Sequence, residues 1–352
     1  MKAPRAVSGA GLRLVAVGLA LLFTTIVLVI SGAPPLEAYR QILVGSLGSF
    51  KKVTDVLVAW VPLVLATSGL LVTFAGGLWN IGIEGQITLG AIFATGALRA
   101  ALDAGTAPAP AIAGAVVAGI VGGALWALLA GLLKVYGGVN EIFGGLGLNF
   151  VAVSLTLWLI FGPWKRPGVG SMSGTEPFPD FLSLPALEGY RLSPWGLVVA
   201  ILGFAVIFFL LQGTTFGLRL KAVGKNARAA FLLGVPTTRH MLAAFLLCGG
   251  LGGAAGAIQV TAVYHRLIPS ISSGYGYLGL MVAMLVNFQP LWMPLLAFFF
   301  AALNIGSIQL PIVLRLDSSL AGVLQGALVL FVLAMEGVRQ RWRRTPAPGG
   351  EA

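Results

Sequence analysis

Charged residues, cysteine and histidine are all scarce in this sequence, and each shortage excludes a class of protein. Only 9% of its 352 residues are charged, whereas soluble domains have roughly 25%, so the chain lacks the polar side chains needed to face water on every side. Its single cysteine, Cys248, closes no internal disulfide, and its two histidines, His240 and His265, lack the closely spaced second ligand of a metal site. We therefore expect a membrane protein without internal disulfides or bound metal.

The signature motifs of enzymes are also missing. No G-x-x-x-x-G-K-[ST] phosphate-binding loop occurs, and the nearest fragment, residues 223–226, lacks both the earlier glycine and the final Ser or Thr. No nucleophile elbow, HExxH or CxxC motif is present either. The sequence therefore predicts a chain that is not an enzyme and holds no cofactor of its own.

Apolar residues are abundant instead, with 58% of the chain hydrophobic and a mean hydropathy of +0.96. Apolar runs near the length of a membrane span occur at residues 13–32, 56–76, 86–102, 110–133, 142–162, 194–212, 241–262, 275–289, 291–309 and 319–336. They predict an all-α polytopic membrane protein with about ten transmembrane helices, some of them broken or re-entrant near residues 80 and 290. No cleavage site follows the first run, so we expect a retained helix rather than a signal peptide.

The distribution of the basic residues predicts the orientation. The net charge is +11, and most Lys and Arg fall in segments that are cytoplasmic if the N-terminus is cytoplasmic. We therefore expect a multi-pass protein of the plasma (inner) membrane, with both termini inside and no nucleic-acid partner. The predicted parts are a cytoplasmic segment 1–12, a transmembrane domain 13–336 and a basic cytoplasmic tail 337–352. The long loops are an external one at 33–55, an external one with a short helix at 163–193, and a cytoplasmic one at 213–240.

Glycine is frequent, with 49 residues, and many of these lie four positions apart. Small residues at that spacing allow membrane helices to approach closely. Pairs of this kind are Gly119 with Gly123, Gly249 with Gly253, and Gly252 with Gly256. They predict either packing within one helix bundle, which is the commoner use, or a dimer interface.

The cytoplasmic loop 213–240 contains the start and stop signals of a short helix. Asn226 can cap a first turn, residues 227–233 are compatible with a helix, Gly234 suits the left-handed position after it, and Pro236 prevents continuation. The residues predicted to share one face are Ala227, Ala230 and Phe231. A helix of about two turns is not stable alone, so we expect it to dock on its own bundle, on lipid or on a soluble partner.

Residues 220–235, LKAVGKNARAAFLLGV, resemble the cytoplasmic loop of ABC importer permeases of the sugar, nucleoside and branched-chain amino acid group. That loop reads R-x-A-V-G-x-N-x-x-A-A-x-x-x-G-[IV], and the matching residues are Ala222, Val223, Gly224, Asn226, Ala229, Ala230, Gly234 and Val235. Lys225 stands where many relatives carry an acid, and Ala227 where many carry proline. The resemblance implies a type II ABC importer-like permease whose coupling helix contacts an ATPase. It assigns that contact to Lys225, Asn226, Arg228, Ala229, Ala230, Phe231 and Gly234.

Residues 77–86, GLWNIGIEGQ, resemble the nucleoside branch of the same group, often called simple sugar permeases. The branch reads roughly F-N-I-G-x-E-G-Q, and the matching residues are Asn80, Ile81, Gly82, Glu84, Gly85 and Gln86. With N-E-I at 140–142 and L-N-F at 148–150, the resemblance covers most of residues 55–336. It implies import of nucleosides, with monosaccharides and branched-chain amino acids as alternatives.

Polar residues inside apolar runs are candidates for the translocation path. The set comprises Asn80, Glu84, Gln86, Asn140, Glu141, Asn149, Asn287 and Asn304. Amides donate and accept hydrogen bonds without a fixed charge, which suits a neutral polyhydroxylated solute. The alternative is that these groups satisfy one another and pin helices together.

The family resemblance also implies an assembly. Its parts are one or two ABC ATPase subunits holding ATP and Mg²⁺, a second homologous permease, an extracytoplasmic solute-binding protein and the membrane lipid. Two other interpretations remain open at this point. One is a secondary transporter driven by an ion gradient, which would use Glu84 and Glu141, and the other is a membrane enzyme or channel.

Overall fold

The computed structural model describes residues 9–168, 173–286, 290–316 and 319–344, and over these residues the chain forms only helices and their connections. The α-helices in these ranges are α1 (Gly9–Ile30), α2 (Pro35–Leu47), α3 (Phe50–Ala75), α4 (Ile83–Asp103), α5 (Pro108–Val135), α6 (Glu141–Phe161), α7 (Pro194–Gly213), α8 (Thr215–Lys225), α9 (Ala227–Leu232), α10 (Thr237–Ile258), α11 (Tyr275–Val286), α12 (Met293–Gly306), α13 (Gln309–Val313) and α14 (Leu320–Arg344). A π-helix, Gln259–Tyr264, continues α10, and 3₁₀ turns occur at Asp180–Leu182 and Pro290–Trp292. The all-α prediction is confirmed.

Seven helical segments within the described ranges are long and apolar enough to cross a membrane. They are α3, α4, α5, α6, α7, α10 with its π-helical extension, and Pro290–Val313. The α1–α2 pair is an eighth if its two parts form one broken span. Helix α11 has only 12 residues, fewer than the roughly 20 of a straight span, and the described apolar part of α14 is Gly322–Val332. The multi-pass architecture is thus confirmed, but the predicted count of ten spans is not.

The chain divides into two compact units, of which the smaller comprises residues 1–53 and 302–352. In this unit α1 and α2 meet at an angle of 111°. The bend has a local cause, because Gly32 takes a φ of +73° and Pro35 begins α2 at a position where a helix does not use the missing N–H. Leu28, Ile42 and Leu310 lie in the core of this unit.

In the larger unit, residues 54–301, the apolar helices differ in how far they are buried. In α3, 83% of an apolar stretch of 18 residues is buried, whereas in α7 the buried share of such a stretch is 22%. Both helices contain long apolar stretches, but these have different surroundings. Protein surrounds α3, whereas α7 exposes the kind of surface that a membrane protein presents to lipid.

Helices α4, α5 and α10 pack with their backbones in contact, and glycine makes this possible. A Cβ on Gly90 would overlap the backbone of Gly253, and a Cβ on Gly119 would lie 3.0 Å from the Gly253 carbonyl oxygen. On the other side of the same contact, a Cβ on Gly249 would overlap Gly123. The predicted small-residue pairs therefore serve packing within one bundle, the commoner of the two uses.

Replacing Gly123 by alanine is expected to lower the thermal unfolding midpoint of the purified protein in detergent. The new Cβ would lie 2.6 Å from Gly253 Cα, and overpacking of a close contact costs about 1–3 kcal/mol. Tryptophan fluorescence during heating measures the midpoint.

Gly114→Ala is the matched control, because Gly114 lies on the same helix and a Cβ added there would have no neighbouring atom within 4 Å. Removing a glycine from an open helical position stabilises by about 0.5–1 kcal/mol, so its midpoint should stay or rise. Equal midpoints for the two variants would contradict the close packing of α5 against α10.

Candidate functional site

The polar stretch at residues 77–86 lies where α3 ends and α4 begins. Residues 76–82 are not helical and pass close to α8, so that a Cβ on Gly77 would lie 2.9 Å from the Gly224 carbonyl oxygen. Gly77 has a φ of +71°, which is the left-handed region that glycine adopts without strain. Non-helical backbone at membrane depth must be enclosed by protein or face a wet cavity. The site therefore has to supply hydrogen-bond partners for this segment.

Asn80 and Gln86 form a closed pair of amides. The Asn80 amide donates to Gln86 Oε1 at 3.0 Å, and the Gln86 amide donates back to Asn80 Oδ1 at 2.9 Å. Asn80 Nδ2 also donates to Cys248 Sγ at 3.1 Å. Both amides are 1% exposed, so the pair fastens the non-helical segment to the first turn of α4 and to α10.

Asn149 on α6 satisfies the backbone at the same junction. Its Oδ1 accepts from the Gly85 N–H at 2.8 Å, and its Nδ2 donates to the Ile81 carbonyl at 3.0 Å. The Gly85 N–H belongs to the first turn of α4, and the Ile81 carbonyl precedes that helix. Neither group has a hydrogen-bond partner within a helix. One amide thus replaces two backbone partners that the break in the helix removes.

Glu84, 7% exposed, joins α4 to the segment that precedes α11. Its Oε1 accepts from Ser272 Oγ at 2.6 Å and from the Gly274 N–H at 3.1 Å, while Oε2 accepts from the Gly276 N–H at 2.8 Å. The two N–H groups belong to the start of α11, where a helix has free donors and a partial positive charge that favours a carboxylate. The carboxylate is therefore held by three donors from one short segment.

The other predicted path residues have different positions. Asn140 caps α6 by accepting from the Ile142 N–H at 2.9 Å, and Glu141 pairs with Lys134 at 2.6 Å. Asn304 lies in the smaller unit, and Asn287 lies outside the described residues. The structure thus brings Asn80, Glu84, Gln86 and Asn149 together and gives each a partner within the chain. A role of any of them in the path stays a prediction.

Sequence reasoning missed the partners of this site, above all Ser272, Cys248 and the start of α11. A usable signal was present in SSGYGY, residues 272–277, because this glycine- and serine-rich stretch also interrupts apolar sequence. Tyr277 from this stretch lies with its hydroxyl 3.5 Å from Asn149 Nδ2 and is 42% exposed.

The loop at residues 213–240 contains the predicted short helix. It is α9, Ala227–Leu232, capped by Asn226, whose Oδ1 accepts from the Ala229 N–H at 2.9 Å, and it ends before Gly234 at a φ of +82°. Ala230 is 2% exposed and Phe231 is 66% exposed, so Ala230 is covered by the protein while Phe231 is not. Phe231 instead forms an exposed apolar tip with Leu232 and Leu233, which are 78% and 84% exposed.

A family model described as "Branched-chain amino acid transport system / permease component" matches residues 52–333. The chain belongs to this permease family. The matched range contains the α3–α4 junction and the α8–α9 loop, so the membership predicted from these two motifs is confirmed.

Several relatives of this permease align over most of their length. The glucose ABC transporter permease protein TsgB13 of Haloferax volcanii is 31% identical over 88% of this chain and 83% of its own. The guanosine ABC transporter permease protein NupP of Bacillus subtilis is 27% identical over 93% of each chain. The nucleoside ABC transporter permease protein NupB of Lactococcus lactis subsp. cremoris is 25% identical over 84% of this chain and 82% of its own.

Glu84→Ala is expected to destabilise the permease strongly. It removes the acceptor of two buried donors, Ser272 Oγ and the Gly276 N–H, and of the partly buried Gly274 N–H. Each buried donor left without a partner costs about 1–3 kcal/mol, so the total loss is of the order of 3 kcal/mol. A lower unfolding midpoint in detergent and faster proteolysis around residues 265–276 would show the effect.

The control is Glu188→Ala, which removes an exposed carboxylate from the same unit. Its midpoint and its proteolysis pattern should match those of the wild-type protein. If Glu84→Ala also behaved like the wild type, the three hydrogen bonds to the start of α11 would not hold the two segments together.

Proposed function

We propose that this permease is a subunit of an ATP-driven ABC importer for nucleosides and forms half of its translocation path. The observation that carries the proposal is the alignment with a guanosine permease over 93% of each chain. The nucleoside permease from Lactococcus lactis supports the same solute class. The sequence GLWNIGIEGQ adds support, because it resembles the motif of the nucleoside branch.

Monosaccharide import is the second candidate. The relative that transports glucose has the higher identity, 31%, so identity alone does not favour nucleosides over sugars. Both solute classes are neutral and rich in hydroxyl groups, so amide groups that donate and accept hydrogen bonds would suit either of them. The two candidates are separated by experiment rather than by the chemistry of the site.

The proposed contact with the ATPase is the tip of α9. Phe231, Leu232 and Leu233 expose apolar side chains, and a helix of six residues needs a partner surface to stay ordered. Arg228, Lys225 and Asn226 surround this tip and are at least partly exposed as well. Ala230 supports the helix from inside, while Gly234 shapes its end.

The proposed assembly is the one that the family resemblance implies. It would contain ATPase domains that bind ATP and Mg²⁺, a second homologous permease and an extracytoplasmic solute-binding protein that contacts the external loops. In this proposal both termini are cytoplasmic, and α11 and α14 complete ten passes together with the seven apolar segments and the α1–α2 pair. ATP binding moves the α9 contact, and hydrolysis resets it.

Solute-dependent ATPase activity of the reconstituted importer tests the function. The permease, its neighbouring permease, ATPase and binding protein would be offered purine and pyrimidine nucleosides, pentoses, hexoses and leucine in turn. Stimulation by nucleosides alone supports the proposal, whereas stimulation by hexoses alone supports the second candidate. Solute movement by this chain alone, driven by an ion gradient without ATPase, would refute both.

Gly234→Val is expected to abolish coupled uptake while the protein still inserts. The glycine has a φ of +82° and open space around it, so a β-branched residue adds backbone strain of about 1–3 kcal/mol at the end of α9 without a clash. Uptake, ATPase activity and the amount of permease in membranes would be measured together.

Gly105→Val serves as the comparison, since Gly105 also has a positive φ, +63°, and open space around it, but lies between α4 and α5. It imposes the same kind of strain away from α9 and should retain uptake. Normal uptake by Gly234→Val would argue against the assigned contact.

A further inference from the structure

The external segment 173–193 is anchored in the core of the larger unit rather than lying loosely over it. Phe178 and Leu182 are 8% and 1% exposed. They belong to a hydrophobic cluster that also contains Leu267 and Ile271 from the chain between α10 and α11, and Leu98 from α4. Moving this segment would therefore disturb the packing of residues 267–271.

Hydrogen bonds align this segment antiparallel to residues 261–267. The N–H groups of Thr175, Phe178 and Leu184 donate to the carbonyls of Leu267, His265 and Thr261 at 2.9, 2.8 and 2.8 Å. Thr175 Oγ1 accepts in return from the Leu267 N–H at 3.1 Å. The carbonyls come from the end of the π-helix and the residues after it, where intrahelical donors run out. Thr175 is 1% exposed, so this part of the contact is inside the protein.

The contacted stretch of chain is itself fastened up to Ser272. The Ile271 carbonyl accepts from Gln259 Nε2 at 3.3 Å, and the Tyr264 and Ser273 hydroxyl oxygens are 3.0 Å apart. Ser272 then donates to Glu84 at 2.6 Å. Hydrogen bonds at both ends and the chain between residues 267 and 272 thus connect Thr175 with the carboxylate of Glu84 at the start of α4.

The opposite side of the external segment is open. Phe181 is 56% exposed, and Glu176 and Asp180 beside it are exposed as well. One side of segment 173–193 is therefore available to a partner, while the other side is bonded to residues 261–267.

We infer that Thr175 is a positioning residue that transmits contact of the solute-binding protein from segment 173–193 to Glu84 and the start of α4. The inference rests on the proposed function, because it needs an external binding protein and an ATPase to respond. Contact of the binding protein with segment 173–193 shifts residues 261–267, and Ser272 moves with them. The movement of Ser272 then changes its hydrogen bond to Glu84. No residue of this series needs to touch the solute.

Thr175→Val tests the inference in the complete importer reconstituted in lipid nanodiscs. It removes Oγ1 and keeps the shape of the side chain. Three quantities would be measured: the affinity for the solute-loaded binding protein, the basal ATPase rate, and the rate with the loaded binding protein. We expect the stimulation to fall about fivefold or more, the range of a typical coupling between sites. The affinity and the basal rate should remain at wild-type values, because Thr175 is buried and distant from α9 in the chain.

Two variants serve as controls. Thr175→Ser keeps the acceptor and should restore stimulation. Thr156→Val makes the same change at another buried threonine, whose Oγ1 donates to the Ala152 carbonyl within α6 at 2.9 Å, so it should leave all three quantities unchanged. If Thr175→Val does not fold, Ser272→Ala interrupts the series at its other end and should also lose stimulation.

Wild-type stimulation in Thr175→Val would overturn the inference. So would a loss of stimulation matched by an equal loss of affinity, since the segment would then be only a contact surface. These outcomes leave the wild-type importer active. An unresponsive wild-type importer would instead refute the proposed function, and the inference with it.

Discussion

Helices α4 and α11 begin inside the larger unit, and the N–H groups of their first turns need acceptors where water is not at hand. Glu84 accepts from Gly274 and Gly276 at the start of α11, and Asn149 accepts from Gly85 at the start of α4. At the starts of these two helices, side chains therefore accept the hydrogen bonds that backbone carbonyls of the preceding turn accept within a helix. This requirement accounts for polar residues in a chain of which only 9% of the residues are charged. It also explains why α6, α10 and α11 all form hydrogen bonds with the α3–α4 junction or the start of α4.

The glycine contacts serve the same arrangement. Helices α4 and α10 reach each other's backbones at Gly90 and Gly253, which places Cys248 beside Asn80 and the chain after α10 beside Glu84. A larger side chain in this contact would widen the gap that the hydrogen bonds of the junction must span. The close packing of α4 and α10 at their glycines thus brings the polar groups of the junction near enough to form their hydrogen bonds.

What the sequence predicted well was local. Asn226, Gly234 and Pro236 lie within a few residues of α9, so the start and end of that helix could be read from propensities. The partners of Glu84 could not, since Ser272 is 188 residues away and only the tertiary fold brings it near. The predicted count of ten spans is left unconfirmed for a related reason: α11 is apolar and largely enclosed by protein, and its described helix has 12 residues. Which of Ala230 and Phe231 is buried could not be predicted either, because burial depends on the neighbours of α9 and not on helical spacing alone.

The bond between Asn80 and Cys248 has a practical consequence for spectroscopy. Cys248 is the single cysteine of the chain, and its side chain is 0% exposed. A maleimide or methanethiosulfonate reagent needs access to the thiolate, which this thiol does not offer in the folded state. A cysteine introduced at an exposed position would therefore take up a spin label or a fluorophore selectively against the native background. Distances between two such labels can then be followed through an ATP cycle without first replacing the native thiol and disturbing Asn80.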